Sequence, residues 1–189
     1  MFSCFKASKK PELPTHTEFA AAGTLFTNGS HVLAAYQKDS TNPTVSGIGG
    51  KREGSETYME TALRETVEEL FGIEKVPYGL VCKLIVKLEP MKVQKIGTYI
   101  IVVYNFSDLE KITEIVKRDL KTSPLYPDFP KTISDLVLTR KKGEESHPEV
   151  LHIAILPIVK NSIVDVNFIE DVRVVLNSDE PNQNFINSR

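Results

Sequence analysis

The sequence predicts an α/β protein in which a mixed β-sheet lies between helices. Three observations carry that expectation. Met59, Ala62, Leu63, Thr66, Val67 and Leu70 recur at three- and four-residue steps and form one apolar helical stripe. Thr98 to Phe106, TYIIVVYNF, is nearly continuously apolar and β-branched, the pattern of a central strand. Two further stretches, around Leu109 and Phe168, return to helical spacing.

A length of 189 residues suits one domain with appendages. Apolar residues at 41% and charged residues at 25% leave enough of the chain to build a core. The formal net charge of -2 supplies no overall pull toward nucleic acid or an anionic membrane, so either partner would need a local patch. No run approaches the roughly twenty apolar residues of a membrane span. Met1 to Phe5 lacks the apolar region and cleavage site of a signal peptide, and Phe2 does not fit N-myristoylation. Cys4 beside Lys6, Lys9 and Lys10 would make only a marginal acyl anchor. Cys4 and Cys82 sit in unlike contexts, so no disulfide is expected, and a reducing, cytoplasmic setting fits.

Taken in order, residues 1–16 read as a flexible lead-in, 17–176 as the domain, and 177–189 as a flexible tail. Asn28-Gly29 between two apolar runs signals a hairpin, with His31 exposed at the start of the second strand. Val45 to Gly50 is a short strand ending at glycines, and the striped helix follows with Ser55 as N-cap and Gly72 as stop. Leu80 to Leu88 alternates and is expected to be a half-buried strand with Lys83 and Lys87 outside; with Lys92 and Lys95 these could attract a polyphosphate or simply be solvated. A helix starting at Ser107 or Asp108 carries Leu109, Ile112, Ile115, Val116 and Leu120. Three prolines break up Ser123 to Pro130. Arg140 to His147 is a charged loop, Val150 to Pro157 a strand, and Phe168 to Leu176 a helix packing on the sheet.

Chemistry concentrates at Gly49 to Ile73. Glu65, Glu68 and Glu69 lie off the apolar stripe at spacings that put them on one helical face. Like charges so placed repel, and a hard divalent cation such as Mg2+, which takes oxygen ligands, would offset that repulsion. Gly49 and Gly50 have no Cβ, so their backbone can come close to a ligand. The plainer reading of a glutamate run is a solvated helix face.

The spacing of Gly50, Glu56, Arg64-Glu65, Glu68-Glu69 and a nearby glycine resembles the box of the Nudix hydrolases. It departs from that box twice: Thr66 stands where the family has an aliphatic residue, and Leu70-Phe71 occupy a single position before Gly72. The resemblance implies a Nudix-type α/β/α sandwich with a mixed central β-sheet, and a pyrophosphohydrolase reaction by water attack on a phosphoanhydride. By the same resemblance Glu65, Glu68, Glu69 and Gly49 would hold Mg2+, with Mn2+ as a substitute. Arg64 would pair with Glu56 to brace loop against helix, and Glu65 or Glu68 would take the proton. A loop acid outside the box often completes such sites; Glu144, Glu145 and Glu149 are candidates, with Glu149 favoured at the start of its strand. Gly50, Lys51 and Arg52 are placed to bind phosphate.

The implied substrate is a small-molecule diphosphate or polyphosphate, such as a nucleotide, a dinucleotide or a capped RNA, with a diphosphoinositol polyphosphate as an alternative. Tyr36, Tyr99 or Tyr104 would be available to stack on a base. Residues 107–148 exceed the minimal scaffold and are expected to shape the pocket. A homodimer is compatible with all of this. A catalytically silent module binding a nucleotide or protein in the same cleft is the competing class, and its only sequence support is the two departures from the box.

Overall fold

The structure, a computed structural model, describes residues 18–37, 45–141, 150–158 and 166–177. Among the described residues seven strands form two sheets. β1 (Ala21–Phe26), β4 (Ile48–Lys51), β5 (Lys92–Ile96) and β6 (Tyr99–Tyr104) form a sheet of order β4-β1-β6-β5; β2 (His31–Gln37), β3 (Val45–Ser46) and β7 (Val150–Pro157) form another of order β3-β2-β7. β1 runs parallel to β6 and antiparallel to β4, so the first sheet is mixed. Five helices are described: α1 (Tyr58–Phe71), α2 (Tyr78–Lys87), α3 (Phe106–Leu120), α4 (Ile133–Leu138) and α5 (Val166–Asn177).

Strand alternation divides the core. Ala22, Phe26, Ile100, Val102 and Tyr104 pack with Ala62, Leu63, Val67 and Leu70 of α1, whereas Leu25, Ile101 and Val103 pack with Val172 and Val175 of α5. Helices therefore cover both faces, and the fold is the α/β/α sandwich with a mixed sheet that the sequence predicts. Thr98 to Phe106 supplies β6, which lies inside the sheet as its composition requires. Among the described residues no helix is long and apolar enough to cross a membrane.

Four expectations need correction. The Asn28-Gly29 turn does not close a paired hairpin: β1 and β2 share one antiparallel bridge, Thr27 to Val32, and then diverge into different sheets. Only Gly29 takes positive φ, and the Asn28 side chain instead accepts from the Ser30 and His31 amides. Leu80 to Leu88 is helix rather than strand. Its buried residues, Leu80, Val81, Leu84 and Leu88, follow helical spacing, Val86, which alternation would bury, is exposed, and the helix runs from Tyr78 to Lys87 between the N-cap Pro77 and the C-cap Leu88. The cap of α1 is Thr57, in a reciprocal capping box with Glu60, because a turn from Glu53 to Glu56 holds Ser55 outside the helix. Asn105 likewise caps α3 in place of Ser107 or Asp108.

Strand β5 and helix α4 have too little sequence contrast to be read in advance. The four lysines noted above fall apart between α2 and β5, with Lys83 bonded to Asp119 and Lys92 to the Val175 carbonyl. Against the expectation from sequence, Cys82 is disulfide-bonded; the chain's other cysteine, Cys4, lies outside the described residues.

Candidate active site

Helix α1 presents its acids to the end of β4. The helix stands where it does because Ala62, Leu63, Val67 and Leu70 are fully buried against the sheet. Both departures from the resembled box are absorbed into that packing. Thr66 is buried and donates to the Ala62 carbonyl at 2.7 Å, and Leu70 and Phe71 are both fully buried. Gly72, at φ 67°, closes the helix through an N–H bond to the Glu68 carbonyl at 2.8 Å.

Arg64 is the hub. It is 7% exposed, and its Nε and Nη2 donate to the two Glu56 oxygens at 2.7 and 3.2 Å. Nη2 also donates to the Lys51 carbonyl at 2.8 Å, which ties β4 to the helix. Nη1 reaches Glu68 at 2.7 Å and Glu65 at 3.0 Å. Burial acts to raise the Glu56 pKa, but bonds from Arg64, the Glu53 amide and the Thr61 hydroxyl outweigh it and hold the carboxyl below its usual range.

Glu68 behaves otherwise. Burial and the neighbouring Glu65 charge push its pKa up to about 7 in spite of Arg64. One guanidinium has the carboxylates of Glu53, Glu56, Glu65 and Glu68 within 3.8 Å and cannot neutralise all of them, whereas Glu56, Glu65 and Glu68 together hold the Arg64 cation well above its ordinary pKa against the cost of burial.

The glycines complete the site. The Gly49 N–H donates to Glu69 Oε2 at 3.1 Å, which turns that acid toward the loop. A Cβ on Gly50 would overlap the Glu65 carboxylate, so the bare backbone is what lets Glu65 lie there. Arg52 donates from Nε to the Glu56 carbonyl at 2.8 Å and stacks 4.7 Å over the Phe19 ring, while Lys51 is exposed. Glu144, Glu145 and Glu149 lie outside the described residues.

Among the described residues no group of three His, Cys, Asp or Glu side chains is arranged, as it stands, to hold a metal ion. Arg64 bonds both Glu65 and Glu68, and Glu69 points to Gly49. The donor chemistry nevertheless fits a hard divalent cation: carboxylate oxygens on one helical face, beside a cradle that any Cβ at residue 50 would fill.

A cleft of about 720 Å³ adjoins this face on the α5 side of the sheet. Gly23 pairs with Gly49 across β1 and β4, and together they leave room for the Tyr99 hydroxyl, which a Cβ on either glycine would overlap. Burial, with Glu69, Glu65 and Asp171 nearby, raises the pKa of that phenol and keeps it protonated. Of the other tyrosines considered, Tyr104 is fully buried against Phe26 and Tyr36 packs near His152. Gly23 was a missed signal, since an isolated glycine in an apolar strand marks a close approach. Arg140 was missed as well. It is buried and donates to the carbonyls of Glu69, Leu70 and Val150 at 2.7, 2.8 and 2.9 Å, joining the last turn of α1 to β7.

No family model matches the chain, and no curated protein matches it. Among solved structures it is similar to a bifunctional NMN adenylyltransferase/ADP ribose pyrophosphatase from Francisella tularensis complexed with AMP and Mn ion, at 15% identity and TM-score 0.45, covering 87% of this chain and 42% of that one. The chain thus spans under half the length of that protein. It is also similar to an ADP-ribose pyrophosphatase from Streptococcus suis, at 11% identity and TM-score 0.46, covering 87% and 96%. A NUDIX family hydrolase from Clostridium perfringens matches at 15% identity and TM-score 0.39, covering 87% and 99%. These are likenesses of chain path, and the chemistry of the site rests on its own residues.

Proposed function

We propose that the protein is a Mg2+-dependent hydrolase of the Nudix type that cleaves a phosphoanhydride bond in a nucleoside diphosphate derivative by attack of water. The observation that carries this reading is the Glu65 carboxylate lying against the bare Gly50 backbone, with Glu68 and Glu69 on the same helical face. In it Glu65, Glu68 and Glu69, with the Gly49 backbone, would hold Mg2+ or Mn2+, which would supply charge neutralisation at the diphosphate oxygens and a more acidic water.

The chain's own residues do the rest. Arg64 and Glu56 lock the loop to the helix, so the acids keep their spacing as substrate enters. Glu65 and Glu68, neighbours on the same face and both within reach of Arg64, are the box acids placed to accept the proton of the attacking water. Gly50 and the Lys51 and Arg52 side chains border the phosphate position. Residues 107–148 are read as the variable insertion of this scaffold, and the disulfide at Cys82 removes the cysteine argument for a reducing, cytoplasmic setting.

One observation favours a second reading, a binding module without turnover. Arg64 already neutralises part of the acidic face, and no ready-made metal cage stands among the described residues. A panel of nucleoside diphosphate derivatives, assayed with Mg2+ on the parent, Glu68→Gln and Glu69→Gln, tests the proposal. Turnover in the parent that falls at least a hundredfold in both variants supports it. Undiminished turnover in both removes the assignment of the acids, and binding without turnover favours the silent module.

A further inference from the structure

We infer that Tyr99 is a positioning residue for the acidic face: its phenol reaches across β1 on the α5 side of the sheet, wedges the Gly49 backbone in place, and through the Gly49 amide fixes the Glu69 carboxylate. This deepens the hydrolase reading and rests on it, because Glu69 and the Gly49 backbone belong to the proposed metal site.

The reach is set by register. Tyr99 stands opposite Ala21 on β1, and Ala21 opposite Lys51 on β4, yet the Tyr99 hydroxyl lies two residues further along, between Gly23 and Gly49. The ring therefore runs diagonally across a strand whose side chain at the crossing point is a hydrogen. Tyr99 packs with the Leu25, Ile101 and Val103 cluster that α5 covers, whereas α1 packs on the opposite face. One side chain thus couples the two faces of the sheet at β4.

Contact at its tip is close. The phenol oxygen fills the space that a Cβ on Gly23 or Gly49 would take. Gly49 is at φ 153°, a backbone conformation that residues with side chains rarely adopt, and with no Cβ of its own it depends on neighbours to hold it there. Tyr99 is the neighbour on the α5 side, and the Gly23 Cα is the neighbour from β1. The Gly49 N–H meanwhile donates to Glu69 Oε2 at 3.1 Å. Without the phenol, the Gly49 peptide could turn into the vacated space and carry its N–H away from Glu69. Gly50 follows directly, and its bare backbone admits Glu65, so a turn at residue 49 reaches a second acid. Tyr99 acts through Gly49 and needs no contact with substrate.

Two measurements on the full chain test this, with Tyr99→Phe, Tyr99→Leu and Glu69→Ala beside the parent. The first is hydrogen exchange at the Gly49 amide of metal-free protein, followed by NMR of chain labelled at the glycine nitrogens. Tyr99→Leu and Glu69→Ala should each speed that exchange about tenfold or more, and Tyr99→Phe, which removes only the oxygen, about threefold. The Gly72 amide, bonded to the Glu68 carbonyl at the end of the same helix, should exchange as in the parent, whereas general loss of packing would speed both amides together. The second is Mn2+ affinity without substrate, read by electron paramagnetic resonance, which Tyr99→Leu should weaken about tenfold or more. Gly49 exchange that is unchanged in Tyr99→Leu, or faster only in step with Gly72, overturns the inference, and so does parental Mn2+ affinity in that variant. If Tyr99→Leu fails to fold, Tyr99→Phe decides by the same criteria. If the parent binds no Mn2+, it is the metal reading of the hydrolase that fails, and exchange at Gly49 alone decides whether Tyr99 holds it.

Discussion

The hydroxyls of Thr24 on β1 and Thr66 on α1 lie 2.7 Å apart in an otherwise apolar interface. Thr66 gives its proton to the Ala62 carbonyl, so the Thr24 hydroxyl donates to Thr66. Thr66→Val restores the aliphatic side chain of the resembled box but leaves the Thr24 donor buried without a partner, at a cost of about 1–3 kcal/mol. Thr24→Val together with Thr66→Val should recover most of that loss. A double-mutant cycle by urea denaturation checks the coupling, and additive losses would show that the two hydroxyls do not depend on each other.

Gly50 and Gly23 separate activity from folding. At Gly50 the atoms nearest to a Cβ all belong to the far end of the Glu65 side chain, so Gly50→Ala should fold with less than about 1 kcal/mol lost and a carboxylate displaced. Hydrolysis should drop about ten- to a hundredfold. At Gly23 a Cβ would meet the Ile48 carbonyl as well as the Tyr99 hydroxyl, and Gly23→Ala should lose about 1–3 kcal/mol of stability. Melting curves measured beside rates distinguish the two; a destabilised Gly50→Ala with normal specific activity would contradict the account.

Glu68 gives the metal-free protein a pH signature. Its pKa rises from an ordinary 4.5 to about 7 on folding, so between those values the folded chain holds a proton that the unfolded chain releases. Stability contributed by this group is therefore greatest below about pH 4.5 and is lost as pH rises toward 7. Glu56 has the opposite sign, but its lowered pKa places its window below 4.5. Denaturation of parent and Glu68→Gln between pH 5 and 8, with chelator present, should show the decline in the parent and a flatter profile in the variant. Parallel profiles would remove Glu68 as the source.

Arg140 closes the far end of α1. Arg140→Met leaves three buried carbonyls without their donor and should cost about 3–5 kcal/mol. Arg140→Lys can restore one bond at most in good geometry and should recover only part of that. Chemical denaturation measures both, and a loss under about 1 kcal/mol in Arg140→Met would show that water replaces the guanidinium.

How far the sequence discloses this protein depends on how local each cause is. The α1 stripe, its Gly72 stop and the β6 strand follow from composition and spacing within one element, and they are where the structure has them. The α2 segment satisfied two periods at once, and only its packing against α1 and α3 separates them. Arg140 sits in a charged run that reads as solvent-facing; its role appears only when Glu69, Leu70 and Val150 are brought around it from 71, 70 and 10 residues away. The Tyr99 slot needs two glycines on different strands. The acids and Arg64 lie within one helix and loop, and for that reason their proximity was readable in advance.

Because Arg64 already serves both Glu65 and Glu68, a divalent ion arriving at that face would meet a resident counter-ion instead of naked anions. Its binding would then be an exchange of one positive charge for another, with an observed affinity that reports the difference between them. Protein chemists titrating such a site should see guanidinium release, as well as proton release, in the heat of loading.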